Sequence, residues 1–461
     1  MTGPDRKDSI NTNRSLVGVD QWFGWTLALC FASVFLVDVP MPLSRSGALE
    51  IAYSDFIAAG MWAWLAFLVV SRRWRPTSVW WALIVVLAVF IACFVLVEVV
   101  RVLRGDEVLQ PVLILRSTLL PVIAYLALGA GIDRPDRALN SVVLFMATLT
   151  LWHLGEWNSM RMSDFLGNSI VYVGMLVMLL PVSVFVAAGI RSRPPVVVRA
   201  AALINMLAAL VFPVWAGSRA VTGVAFVGVL LCFFVMLGKR RFTWTMVATA
   251  GLALMIQASI WWFNPMGSAY GIYRLVPPPS SIFSSTDDSF RAELDQAQRA
   301  TAVSEMGKSD VGRSELWTAS SEKVLEDPLV GDGIVYFDIP GDGLDQEFAA
   351  HNVMLEHLNA FGGIGFLAYA AIFVVALWPA LRWLRRRTTT RHAPLLALVT
   401  TAIWGGFSLT QPTSLIMTVM IPYFATIGGL LAPMISGRRG SDQSADPGSS
   451  QGTADVTGVG A

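Results

Sequence analysis

Long apolar runs separated by short polar stretches fill most of the chain. Trp80 to Val97, Ile170 to Ile190 and Phe242 to Phe263 are three of them. A run of roughly 18 or more apolar residues is long enough to cross hydrocarbon as a helix. The runs lack the apolar/polar alternation of a membrane barrel strand, so helices are the predicted spanning elements. Spans are predicted near 22–38, 49–70, 78–99, 112–131, 138–154, 168–190, 197–214, 219–237, 242–263, 352–381, 394–411 and 414–434. The stretches near 22 and 138 are short, and tilting or partial re-entry would accommodate them. The first twenty residues are polar, and no small-x-small cleavage pattern follows Trp22 to Val37, which reads as an uncleaved first span.

The polar connections orient these spans. One alternating set holds twenty-one Lys and Arg, from Arg6, Lys7 and Arg14 through Lys239, Arg240 and Arg241 to Arg438 and Arg439. The short connections of the other set hold five: Arg45, Arg101, Arg104, Arg161 and Arg219. Positive charge collects on the cytoplasmic side, so both termini are expected there, in the cytoplasmic (inner) membrane. The expected fold class is an all-α, polytopic membrane protein of about twelve transmembrane helices with one large extracytoplasmic loop. The expected organisation is a cytoplasmic N-terminus at 1–21, nine spans within 22–263, the large loop at 264–350, three spans within 351–434 and a disordered cytoplasmic tail at 435–461.

Composition agrees. The chain is 55% hydrophobic and 14% charged, against about 25% charged for a soluble domain. Cys30, Cys93 and Cys232 all lie in apolar runs, which argues against a disulfide framework and against a zinc site. No basic stripe occurs away from the membrane edges, so nucleic acid is not an expected partner.

The outer loop carries six Lys and Arg against fifteen Asp and Glu. Its first part, with Pro277-Pro278-Pro279 and a Ser-rich stretch, reads as irregular. Ser289 to Ala300 and Arg313 to Glu326 are predicted as helices; the second would put Leu316, Trp317, Ser320 and Val324 on one face and end at Pro328. Loops of this length are functional or disordered, and the patterning near the end favours function there.

Several polar residues stand where chemistry is possible. Arg116 interrupts the apolar run LILRSTLLPV; it reads either as a snorkelling arginine or as one lining a cavity. Arg219, in AGSRAVTG, opens a span among small residues and reads either as an interfacial arginine or as a ligand group. Arg313 opens the second loop helix, where a cation opposes the macrodipole unless an anion sits there too; a solvated charge is the other reading. His351 lies where the loop re-enters the membrane, in AAHNVMLEHLNAFGGIGF, and a histidine suits proton transfer near neutral pH. His357 is about 120° further round the helix and shares no face with it. Asp332, Asp338 and Asp342 do not form a calcium-binding ladder, and Gly-Asp-Gly makes turns without a metal. Arginines for a diphosphate and a histidine for a hydroxyl proton suit attack of an acceptor hydroxyl on a carbon bearing a diphosphate.

GSRAVTG at 217–223, GRSELWTASSEKVLEDPLVGDG at 312–333 and HNVMLEHLNAFGGIGF at 351–366 resemble the O-antigen ligase and Wzy-type polymerase family, in that order and around the same long outer loop. RMSDFLGNSIVYVGMLVMLLP at 161–181 resembles the family's Asn-containing entry into an earlier span, with Gly167-Asn168-Ser169 in place of Asn-Pro-Asn. The resemblance implies a type-C-like glycosyltransferase that inverts the anomeric centre, needs no metal or other cofactor, and takes its glycan from a polyprenyl diphosphate to a lipid or glycan acceptor. It implies Arg219 and Arg313 on the diphosphate and His351 on the acceptor hydroxyl, and its span-entry motif offers Asn168. Arg116 and Arg161 are expected at the same outer level as the other two arginines, and Arg116, Arg161, Asn168, Trp317 and Asn352 are the expected further substrate contacts. The competing classes are a transporter or flippase of lipid-linked sugar, which would show internal repeats and broken helices in matching positions, and a receptor with a binding loop.

Overall fold

The computed structural model describes residues 63, 66, 70, 77–104, 114–115, 118–119, 121–122, 125–126, 135–156, 169–215, 219–263, 311–333, 336–338, 347–349, 352–385, 391–409 and 417–435. The span expected at 22–38, most of that at 49–70 and the helix expected at Ser289 to Ala300 lie outside them. Helices coincide with the apolar runs: α1 (Ser78–Arg104), α2 (Pro135–Glu156), α3 (Ser169–Met178), α4 (Leu180–Ala187), α5 (Val196–Trp215), α6 (Arg219–Met236) and α7 (Arg240–Phe263). The polar helix α8 (Val311–Glu326) begins two residues before its expected start. Strands β1 (Tyr336–Asp338) and β2 (Glu347–Ala349) form an antiparallel ribbon that periodicity did not reveal, with Phe337 opposite Phe348. Helices α9 (Val353–Arg385), α10 (His392–Ser408) and α11 (Met417–Ile435) follow.

Four helices among the described residues are long and apolar enough to cross a membrane: Ser78–Arg104, Val196–Val214, Phe242–Ser259 and Val353–Arg385. The α7 window is only 11% buried, although it is apolar on average and carries at most two charged residues. A helix with so little protein cover and so little charge must meet hydrocarbon. Helix α1 divides its surface: Trp80, Leu83, Leu87, Phe90 and Val97 are buried against the protein, while Trp81, Val85 and Val89 are exposed on the other side. The buried hydroxyls of Thr118, Thr150 and Thr400 each donate to the carbonyl four residues back.

One expected span is broken. The run at 168–190 forms α3 and α4, with the break at Leu179 and Pro181 in the first turn of α4. Pro181 has no N–H to give the preceding turn, which interrupts the ladder there.

Small residues and side-chain bonds join the bundle. A Cβ on Gly228 of α6 would come within 2.7 Å of Ile403, and one on Gly406 of α10 within 3.1 Å of Val224, so the two helices cross closely and antiparallel. Tyr125 donates its hydroxyl to the Ala376 carbonyl of α9 at 2.8 Å. A Cβ on Gly428 of α11 would meet the Tyr125 backbone at 2.9 Å. Asn205 of α5 donates to the Val143 carbonyl of α2 at 2.9 Å. Arg191 forms an ion pair with Asp136 at 3.0 Å and donates to the Gly429 and Leu430 carbonyls near the end of α11. Pro433 cannot donate to Gly429, so the arginine takes up a carbonyl that the proline leaves open. Burial lowers the Arg191 pKa, and Asp136 opposes that shift.

These contacts sort the helix ends. Phe90 packs on Phe361 and Tyr369, and Arg104 pairs with Asp327 beside the entry to α9, so α1 and α9 are antiparallel. Only six residues separate the end of α9 at Arg385 from the start of α10 at His392, Phe373 of α9 stacks on Trp404 of α10, and α6 runs against α10. The start of α9, the start of α6 and the end of α1 therefore lie at one end of the bundle. Asp136, Arg191 and Leu430 meet at the other.

Candidate functional site

The entry to α9 organises the first of these ends. Asn352 caps the helix: its side-chain oxygen accepts from the Met354 N–H at 3.0 Å and the Leu355 N–H at 3.4 Å. The oxygen of this expected substrate contact thus serves the cap, which leaves its NH2 group for a ligand. In the chain, His351 falls between β2 and this cap, and lies outside the described residues.

Two turns into α9 the helix breaks. Gly362 has φ 61° and ψ −170°, a conformation open essentially to glycine alone. The break makes room for the segment after α8. Gly363 donates to the Pro328 carbonyl at 2.8 Å and Ile364 to that of Leu329 at 3.3 Å. In return Asp332 and Gly333 donate to the Asn359 carbonyl at 2.9 and 3.2 Å. Gly331 and Gly333 both take positive φ, while the turn lies just before the Gly-Asp-Gly sequence, at 328–330, closed by the Gly331 N–H on the Asp327 carbonyl at 3.0 Å. A Cβ on Gly331 would meet the Gly362 nitrogen at 2.5 Å and the Asn359 carbonyl oxygen at 2.6 Å. Residues 328–333 are thus a backbone clasp seated in the kink of α9.

Helix α8 is fixed by the same turns. Asn359 donates its side-chain amide to the Ser320 hydroxyl, both residues being buried. Leu316 is buried on the same face and Val324 half-buried. Trp317, expected on that face, is 40% exposed, because one residue is 100° of rotation away from Leu316. In the last turn, Lys323 donates to Glu326 at 2.7 Å, and this bond raises the ammonium pKa.

The expected site residues divide as follows. Arg219 is the first residue of α6 and Arg313 the third of α8; their side chains lie outside the described residues. Asn168 immediately precedes α3 in the chain, and it lies outside the described residues together with Arg116 and Arg161. Arg219 and Arg313 each stand in the first turn of a helix, where backbone N–H groups lack intrahelical partners and the macrodipole favours an anion. His357 is a core residue: Nδ1 lies 2.9 Å from the Val353 carbonyl and the ring stacks on Tyr369 at 3.7 Å.

Sequence reasoning passed over two buried charges at the end of α1. Arg101 is 6% exposed, and its Nε and Nη1 have no hydrogen-bond partner among the described residues. Its guanidinium lies against Gly333 of the clasp, where a Cβ would come within 2.7 Å of Nε. Both carboxylate oxygens of Glu98, one turn back, are buried and likewise without a partner among the described residues. The sequence signal was present as RVLR at a span end, a pattern that reads first as interfacial charge.

Residues 204–370 match the family model described as O-Antigen ligase. The match begins inside α5, takes in α6, α7, α8 and the ribbon, and ends within α9, beyond the clasped kink. It covers Arg219, Arg313, Trp317, His351 and Asn352, and not Arg116, Arg161 or Asn168. No curated protein matches the chain. The resemblance read from the motifs is thus shown over this region. The apolar helices mark a helical membrane protein, and the family matched over residues 204–370 suggests a glycan-transfer function and a lipid-linked glycan substrate.

Proposed function

We propose that the protein transfers a glycan from a polyprenyl diphosphate carrier to an acceptor hydroxyl on the extracytoplasmic face of the cytoplasmic membrane. The observation that carries this reading is the family match over residues 204–370, which takes in Arg219, Arg313 and His351. Within the matched region, Arg219 opens α6, Arg313 stands in the first turn of α8 and His351 adjoins in the chain the residue that caps α9, and the starts of α6 and α9 lie at the same end of the bundle. That end is the outer one in our reading, which has twelve spans, both termini in the cytoplasm and residues 264–350 outside.

In the reaction, His351 takes the proton of the acceptor hydroxyl. The hydroxyl oxygen attacks the anomeric carbon from the face opposite the leaving group, which inverts that centre. The bond from that carbon to the diphosphate oxygen breaks, and the electron pair leaves with the diphosphate. Arg219 and Arg313 hold that growing charge by charge-assisted bonds, supported by the free N–H groups of their own first turns. Arg116, Arg161, Asn168, Trp317 and the Asn352 NH2 group are assigned to the glycan and its carrier, whose prenyl tail occupies a cleft between spans. No step calls on a metal. The test is His351→Ala in cells: the protein stays inserted, product glycan is lost and lipid-linked glycan accumulates. Full transfer by this variant would overturn the role given to His351.

A further inference from the structure

Arginine at the end of a spanning helix is ordinary when its head group reaches water or a carboxylate. Arg101 does neither in the usual way. It is 6% exposed, and two of its three nitrogens are buried without a partner among the described residues. Arg104, one turn on, behaves in the ordinary way: it is half-exposed and paired with Asp327 at 3.1 Å. Glu98 is the nearest opposite charge on the helix and acts on Arg101 through space, but it makes no hydrogen-bonded ion pair with it, and its own oxygens are unpartnered among the described residues. A buried guanidinium whose N–H groups lack acceptors is costly, and such a group at membrane depth marks a site where a ligand can supply them.

The surroundings say what arrives. Arg101 lies against the clasp at Gly333, whose N–H is bound to the Asn359 carbonyl. Asn359 is seven residues into the helix that Asn352 caps, about 10 Å along its axis. The guanidinium fork therefore stands about 10 Å along the axis from the start of α9, at the end of the bundle where α1 finishes. A planar fork with free N–H groups matches phosphate oxygens in pairs. We infer that Arg101 binds a phosphate group of a lipid, as an anion ligand additional to Arg219 and Arg313. The identification of that lipid as the diphosphate donor rests on the proposed function; a membrane phospholipid head group presents the same chemistry.

The test uses the full chain in lipid nanodiscs or detergent, with Arg101→Met and Arg101→Lys beside the parent. Two probes are added separately, a glycan-free polyprenyl diphosphate and phosphatidylglycerol, and bound lipid is measured by native mass spectrometry. Thermal unfolding is measured without added lipid. Arg101→Met is expected to bind at least one probe ten-fold or more weakly, with Arg101→Lys intermediate, and to unfold no lower than the parent. A loss confined to polyprenyl diphosphate identifies the donor; a loss confined to phosphatidylglycerol identifies a structural phospholipid and upholds the ligand role. If the parent binds only phosphatidylglycerol, the glycosyltransferase reading fails while the Arg101 inference stands or falls on the variants. Unchanged binding of both probes, a parent that binds neither, or a lower unfolding temperature with unchanged binding would overturn the inference, the last by showing a purely structural cation.

Discussion

Gly362→Ala tests whether the clasp is a real mechanical element. The glycine sits at φ 61° and ψ −170°, and a side chain held there costs about 1–3 kcal/mol in backbone strain. A Cβ would also strike the Leu329 and Val330 backbone, which cannot swing aside as a side chain tip would. Relief requires residues 328–333 to lift, which breaks the bonds from Gly363 to Pro328 and from Ile364 to Leu329, each worth about 1 kcal/mol. The opening free energy of the clasp should fall by roughly 3–5 kcal/mol, or at least about a hundred-fold in opening equilibrium. Hydrogen–deuterium exchange reads this directly at Gly331, Asp332, Gly333, Gly363 and Ile364, with α10 as the internal reference. Gly405→Ala is the control, since nothing lies within 4 Å of its Cβ position. Exchange at those five amides within about three-fold of the parent, in a protein whose α10 is unchanged, would refute the reasoning.

Two further substitutions probe the bundle. Asp136→Asn leaves Arg191 part-buried without its carboxylate, and should lower stability in detergent by about 1.5–3 kcal/mol, measured by chemical unfolding. An unchanged midpoint would show that the Gly429 and Leu430 carbonyls suffice. Tyr125→Phe removes the bond to the Ala376 carbonyl; bonds between membrane helices average about 0.6 kcal/mol and reach about 1.7, so a loss in that range is expected, and a larger one would mean that the hydroxyl anchors more than this contact.

The apolar runs were legible because length and composition alone identify a spanning helix. The stretch expected at 197–214 is Val196–Trp215 and that at 242–263 is Arg240–Phe263. What escaped depends on contacts distant in sequence. Gly362 and Gly363 read as a flexible span entry, and nothing local says that Pro328 and Leu329 lie in the break they create. Asn352 before an apolar helix is a plain capping signal, but the active-site reading of its neighbour His351 drew it toward substrate. Trp317 was grouped with Leu316 by spacing, although a single-residue step turns it toward solvent. Arg101 was hidden for the opposite reason: its position is common, and only its burial is unusual. The order of Arg219, Arg313 and His351 was legible because the motifs that hold them are contiguous.

The clasp also bears on how the chain is put into the membrane. Its two halves, Pro328–Gly333 and Asn359–Ile364, are separated by about thirty residues and bond through backbone groups. They can meet only if both emerge on the same side during synthesis. A chain that inserted α9 in the reverse sense would leave the glycine break facing the wrong compartment, with its partner segment across the bilayer. The same six residues that close over α9 thus tie the two segments to one compartment, since an inverted chain has no clasp.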